Sequence, residues 1–192
     1  VQYVVRPKSD EHHDYRGYGG QVAGGVLKPG DEVVVLPSGM TSKIAGIDLF
    51  DQEVSEAFPP MSVTVRLEDD VDVSRGDMIA RVNNAPQPSQ DIDAMVCWMT
   101  TTPLQPRQKL AIKHTTRTAR ALVKDIQYRL DVNTLHRDQE TKSLGLNEIG
   151  RIQLRTTVPL LCDPYSKNRT TGSFILIDEA TGVTVGAGVI NS

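Results

Sequence analysis

The sequence predicts an all-β protein built as two small barrels in tandem. Three observations carry that expectation. Apolar runs are short and are broken by turn formers roughly every 8–12 residues, the spacing of barrel and sandwich strands. Within the runs apolar and polar residues alternate, as at Val63, Val65 and Leu67, which is the period of a strand with one face in a core. Midway along the 192 residues lies Asn83-Asn84-Ala85-Pro86-Gln87-Pro88-Ser89-Gln90, a polar stretch whose prolines suit neither helix nor sheet interiors. Residues 1–82 are therefore read as a first barrel, 83–90 as a linker and 91–192 as a second barrel.

In the first half, residues 19–27 read as a Gly-rich strand, Lys28-Pro29-Gly30-Asp31 as a turn, and residues 32–36 as a β-branched strand. Further strands are expected at 41–48, 61–67 and 77–82. Gly24-Gly25 and Gly46, inside strand patterns, predict bulges or tight bends. The second half offers strands at 92–100, 109–115, 118–130, 150–159, 173–178 and 183–190, with single turns at 143–148 and 163–168. Residues 117–125 have a helix-compatible composition, but Val123, Ile126 and the Thr-rich flank favour a long strand.

Composition narrows the function classes. A hydrophobic share of 39% and a charged share of 23% are those of a soluble globular chain. No run approaches the ~20 apolar residues of a membrane span. The opening Val1-Gln2-Tyr3-Val4-Val5 lacks an initiator Met, a basic leader and a cleavage site, so it reads as a piece of a longer chain and not as a signal peptide. Cys97 and Cys162 form no Cys-x-x-Cys pair and point to a reducing, cytoplasmic setting. Cys97, in the apolar run 94–99, is expected to be a buried thiol acting as a small hydrophobe. Residues 1–90 carry eight Lys and Arg against fourteen Asp and Glu, a net of −6, whereas 91–192 carry thirteen against ten, a net of +3. That excess is too weak to argue for nucleic-acid binding.

Catalytic patterns are lacking. No Gly-x-x-x-x-Gly-Lys-Ser/Thr loop occurs, so the sequence predicts no nucleotide hydrolysis and no cofactor site of its own. Gly186-Ala187-Gly188 is followed by no helical pattern and reads as strand packing. His12, His13, His114 and His136 show no metal-ligand spacing, and the adjacent pair reads as solvent-exposed. Ser38 and Ser173 lack a nucleophile elbow and read as turn residues. What remains are dense polar segments around His114 to Arg117, Leu130 to Asp138 and Asn168 to Gly172. Their arginines could clamp a partner's carboxylates, and loop-stabilising hydrogen bonds are the plainer reading.

Val1-Gln2-Tyr3-Val4-Val5-Arg6-Pro7, Ala57 to Val65 and Arg75-Gly76-Asp77-Met78-Ile79 closely resemble the large, GTPase subunit of bacterial sulfate adenylyltransferase. So do Ile112 to Arg117, Leu130 to Asp138, Leu146 to Gly150, Asn168-Arg169, Gly172 to Asp178 and Thr184 to Gly188. More distantly, the turn at Lys28 to Asp31 and the closing Thr184 to Gly188 are similar to domains 2 and 3 of translation elongation factors. The resemblance implies two barrels that follow a GTP-binding domain and in some members precede an adenylylsulfate kinase domain. It implies a small catalytic partner subunit, on which sulfate attacks the α-phosphorus of ATP, with GTP, ATP and magnesium used by the whole assembly. His114, Arg117, Asn133, His136, Arg137 and Arg169 are then expected to meet that subunit or the GTPase domain. Two competing readings are a tRNA-binding barrel of another translational-type GTPase and an independent hydrolase built on the scattered His and Asp residues.

Overall fold

Alternation along the chain becomes alternation of inward and outward side chains. A computed structural model describes residues 1–7 and 15–191, with fourteen strands and one short 3-10 helix, Val82–Asn84, among them. His12 and His13 lie outside the described residues. The chain divides into two compact units, Val1–Pro86 and Gln87–Ser192.

The first unit holds β1 (Tyr3–Val5), β2 (Gly17–Gln21), β3 (Glu32–Leu36), β4 (Met40–Leu49), β5 (Gln52–Glu53), β6 (Ser62–Leu67) and β7 (Met78–Arg81). Six of them run in the order β1-β2-β6-β4-β3-β7, with β5 paired to β4. The sheet curls until its first edge meets the approach to β7: the Gly76 N–H donates to the Val1 carbonyl at 3.0 Å. Val33, Ile44, Ile47, Val63 and Val65 fill one part of the interior, and Tyr18, Val35, Val71 and Val73 another. The Tyr18 hydroxyl satisfies itself on the Val71 carbonyl at 2.7 Å. Gly46 follows a register shift against β6, the bulge its place in a strand pattern predicted.

The second unit holds β8 (Pro88–Trp98), β9 (Lys109–His114), β10 (Arg117–Leu130), β11 (Arg137–Asp138), β12 (Ile149–Leu161), β13 (Ser173–Ile177) and β14 (Thr184–Ile190). The order β10-β12-β8-β14-β13-β9 closes through a β9–β10 pairing into a six-stranded antiparallel barrel, with β11 appended to β10. Ile92, Ala94, Val96, Trp98, Leu110, Ile112, Ile152, Leu154, Phe174 and Leu176 point inward. Inward glycines make room for rings: a Cβ at Gly188 would lie 2.3 Å from Phe174, and one at Gly186 3.1 Å from Trp98.

Three expectations need correction, and three short strands were not foreseen. The early Gly-rich strand is Gly17–Gln21 rather than 19–27, because Gly25 turns back at φ +70° and Leu27 makes only an isolated bridge to Ala57. Pro88, Ser89 and Gln90, read as linker, open β8, where Pro88 and Ser89 face Leu161 and Leu160 of β12 and the missing proline N–H leaves the neighbouring residues free to pair. The short strands β1, β5 and β11 carried too few residues for a periodic signal. Cys97 is half-buried on the outward face of β8, since Val96 and Trp98 on either side of it take the inward positions.

Candidate functional site

Register places two lines of side chains on the outside of the second barrel. Ile149 of β12 faces Cys97 of β8, Cys97 faces Ala187 of β14, Ala187 faces Ile175 of β13, and Ile175 faces Lys113 of β9. The adjacent line runs from Tyr128 of β10 through Arg151, Met95 and Val189 to Ser173. Solvent-facing positions of an antiparallel sheet are normally polar. Here they are largely apolar across five strands. Ala187 and Cys97, the smallest of the central residues, sit between Ile149 and Ile175, and the depression so formed is an open groove of about 770 Å³.

The loop from β12 to β13 forms one wall, with Tyr165, Arg169 and Thr170 lining it. It is held firmly. The Tyr165 N–H donates to the Ile190 carbonyl at 2.9 Å, the Ile190 N–H to the Gly172 carbonyl at 2.8 Å, and Ser173 Oγ to the Arg169 carbonyl at 2.9 Å. Asn168 Oδ1 accepts the N–H groups of Thr170 and Thr171, and Thr171 Oγ1 donates to Asp163 at 2.9 Å. His114 supports the wall from beneath: its Nε2 lies 2.7 Å from the Thr171 carbonyl, which can only accept, so Nε2 carries the proton. Burial pushes this imidazole below its ordinary 6.5, against the opposing pull of that hydrogen bond and of the Asp163 carboxylate.

The six residues singled out in the sequence separate into distinct settings. Arg169 lines the groove. His114 is 1% exposed and offers nothing to an outside partner, so a direct contact role is replaced by support of the Arg169 loop. Arg117 begins β10 opposite His114 and donates to the Pro159 carbonyl at 3.2 Å. Asn133 and His136 belong to the turn at the other end of β10, where Asp131 Oδ1 accepts from the N–H groups of Asn133 and Thr134 and so sets the turn, and Arg137 opens β11 directly after it. The first of those bonds is the main reason the Asp131 carboxyl lies below its usual range. Arg137 lies 5.1 Å over the Tyr128 ring, whose hydroxyl reaches Met95 Sδ at 3.6 Å. Arg137 and Arg169 therefore border the same outward face from opposite sides.

Sequence reasoning missed the floor of the groove. Its signal was present: Ala94 to Trp98 is apolar at every position, whereas a strand with one solvated face alternates. Among the described residues no group of three or more His, Cys, Asp or Glu could hold a metal ion. None of their helices is long and apolar enough to cross a membrane.

Residues 91–191, more than half of the chain, match the family described as GTP-eEF1A C-terminal domain-like. The chain belongs to that family. The bifunctional enzyme CysN/CysC of Mycobacterium tuberculosis is 58% identical over 99% of this chain, and sulfate adenylyltransferase subunit 1 of Tolumonas auensis is 47% identical over 99%. The chain spans 31% of the first relative's length and 39% of the second's. The solved structure of sup35 complexed with GDP shares the fold, with a TM-score of 0.84 over 92% of this chain and 44% of that one at 19% identity. The resemblance to the sulfate adenylyltransferase GTPase subunit, carried by motifs from Val1 to Gly188, thus extends to whole-chain homology, and the all-β fold of the elongation-factor type holds with it.

Proposed function

We propose that this chain is the barrel region of the GTP-hydrolysing subunit of a bacterial sulfate adenylyltransferase. In this reading it docks the small catalytic subunit and couples GTP hydrolysis to adenylylsulfate synthesis in sulfate assimilation. Identity of 58% and 47% spread over 99% of the chain is the observation that carries the reading. The word "subunit" in one relative's name supports an assembly partner, and the double name of the other supports a fused kinase region in some members. GTP, ATP and magnesium bind outside these two units, in the GTPase domain and on the small subunit, in a cytoplasmic setting. The barrels then act as a relay, which requires two arrangements of the assembly with different contacts in each.

The test uses the full-length large subunit with its small subunit. Arg137→Ala combined with Arg169→Ala removes a guanidinium from each side of the outward face. GTP-dependent adenylylsulfate formation is expected to fall about tenfold, the scale of losing an arginine anchor at an interface. Full activity together with intact assembly would sink the reading.

A further inference from the structure

The groove of the second barrel has a chemistry that specifies its occupant. Its floor is aliphatic and sulfur-bearing, from Met95, Cys97, Ile175, Ala187 and Val189. Only two charged residues line it, Lys113 and Arg169, and both are cations. Two nearby cations outside the groove are neutralised: Arg151 holds Asp93 through two bonds of 2.8 and 2.9 Å, and Lys167 reaches Asp163 at 3.2 Å. Among the described residues neither Lys113 nor Arg169 is paired with a carboxylate. A polyphosphate strand would find positive charge here but little stacking platform, because of the two aromatic residues that line the groove, Tyr165 and Phe174, Phe174 is turned into the core. A protein segment presenting aliphatic side chains between carboxylates satisfies both the floor and the rim.

We propose that the groove between Lys113 and Arg169 seats an acidic, aliphatic segment of the small catalytic subunit. The proposal rests on the docking function above and deepens it by naming the surface and the chemistry of what fills it. The fold prepares the site in advance. The floor belongs to strands whose register is fixed by the closed barrel, and the Arg169 wall is tied down by His114 and Asn168. Little ordering remains to oppose binding. Electrostatic attraction to Lys113 and Arg169 would act mainly on the rate of encounter and on salt dependence, while the apolar floor would set the lifetime of the complex.

Cys97 supplies a native probe, since it lies on the floor and is half-exposed in the free chain. In the full-length large subunit, alkylation of Cys97 by a maleimide, followed by mass spectrometry of its peptide, is expected to slow about tenfold when the small subunit is added. A parallel titration measures affinity for the small subunit with Lys113→Glu and Arg169→Glu combined. Binding is expected to weaken about tenfold and to lose most of its salt dependence, while Lys113→Arg with Arg169→Lys stays near wild type. Each outcome decides. If the wild-type subunits do not associate at all, the docking function itself fails. If they associate but Cys97 reacts as fast in the complex as alone, the groove is not the seat, whatever the charge variant does. Constant Cys97 protection in the large subunit with or without the small one would assign the groove to the GTPase domain of the same chain. Protection by tRNA and not by the small subunit would assign it to nucleic acid.

Discussion

At position 114 an imidazole takes an inward place in β9 that the alternation of Leu110 and Ile112 reserves for a hydrophobe. Its hydrogen-bond partner among the described residues, the Thr171 carbonyl, belongs to the groove wall, so the residue joins barrel interior to candidate site. His114→Ala strands that carbonyl and is expected to cost about 1–3 kcal/mol in urea unfolding. His114→Gln, which keeps an N–H near the same place, should recover most of it. The pH dependence follows from the lowered pKa. As pH falls below 6.5 the unfolded chain takes the proton first. Stability is therefore full above that value and declines as pH drops towards the folded one. His114→Gln is expected to flatten this decline, and identical slopes for both proteins between about pH 7 and 5.5 would refute the neutral, buried imidazole. The sequence marked His114 as special, but its inward direction was legible only by counting from the start of β9, and its partner lies 57 residues away.

The loop between β12 and β13 depends on one small residue. A Cβ at Gly172 would lie 2.4 Å from Tyr165 Cα and 2.6 Å from the Asn168 carbonyl oxygen, and backbone atoms cannot step aside as a side-chain end can. Gly172→Ala should therefore displace the wall that carries Arg169, at a cost of about 1–3 kcal/mol. Gly145→Ala is the control, since its Cβ would meet only the Glu148 carboxylate at 3.5 Å. Urea midpoints should fall for the first and barely move for the second; equal midpoints would mean the loop is looser than its hydrogen bonds indicate. At this scale the sequence was informative where periodicity is long. The strands over β3, β9 and β10 were expected almost to the residue, and the long β10 prevailed over a helix-compatible composition because its partners β9 and β12 supply both ladders. It was uninformative where pairing is made by two or three residues, as in β5 and β11, whose existence depends on a tertiary neighbour and on no pattern of their own. The groove was hidden for a related reason: Ile149, Cys97, Ala187 and Ile175 come from four separate strands, and only barrel register makes them one row.

For the whole molecule the governing fact is that each unit has its own interior. Val33, Ile44, Ile47 and Val65 pack within the first, while Leu154, Ile152, Trp98 and Leu176 pack within the second. Trp98 is the chain's single tryptophan and is 1% exposed, so its fluorescence reports the second interior alone, whereas far-ultraviolet dichroism reports strands of both. Leu154→Ala opens a void beside fully buried neighbours and is expected to lower the tryptophan-detected stability by about 2–5 kcal/mol. Val33→Ala, an equally buried site in the other interior, should leave that transition in place and shift only the dichroism signal. The contrast is informative because a methyl-scale loss acts through contacts that reach a few ångströms, and neither residue belongs to the other's cluster. A Val33→Ala protein whose tryptophan transition moved as far as its dichroism would show that the two units unfold as one cooperative body.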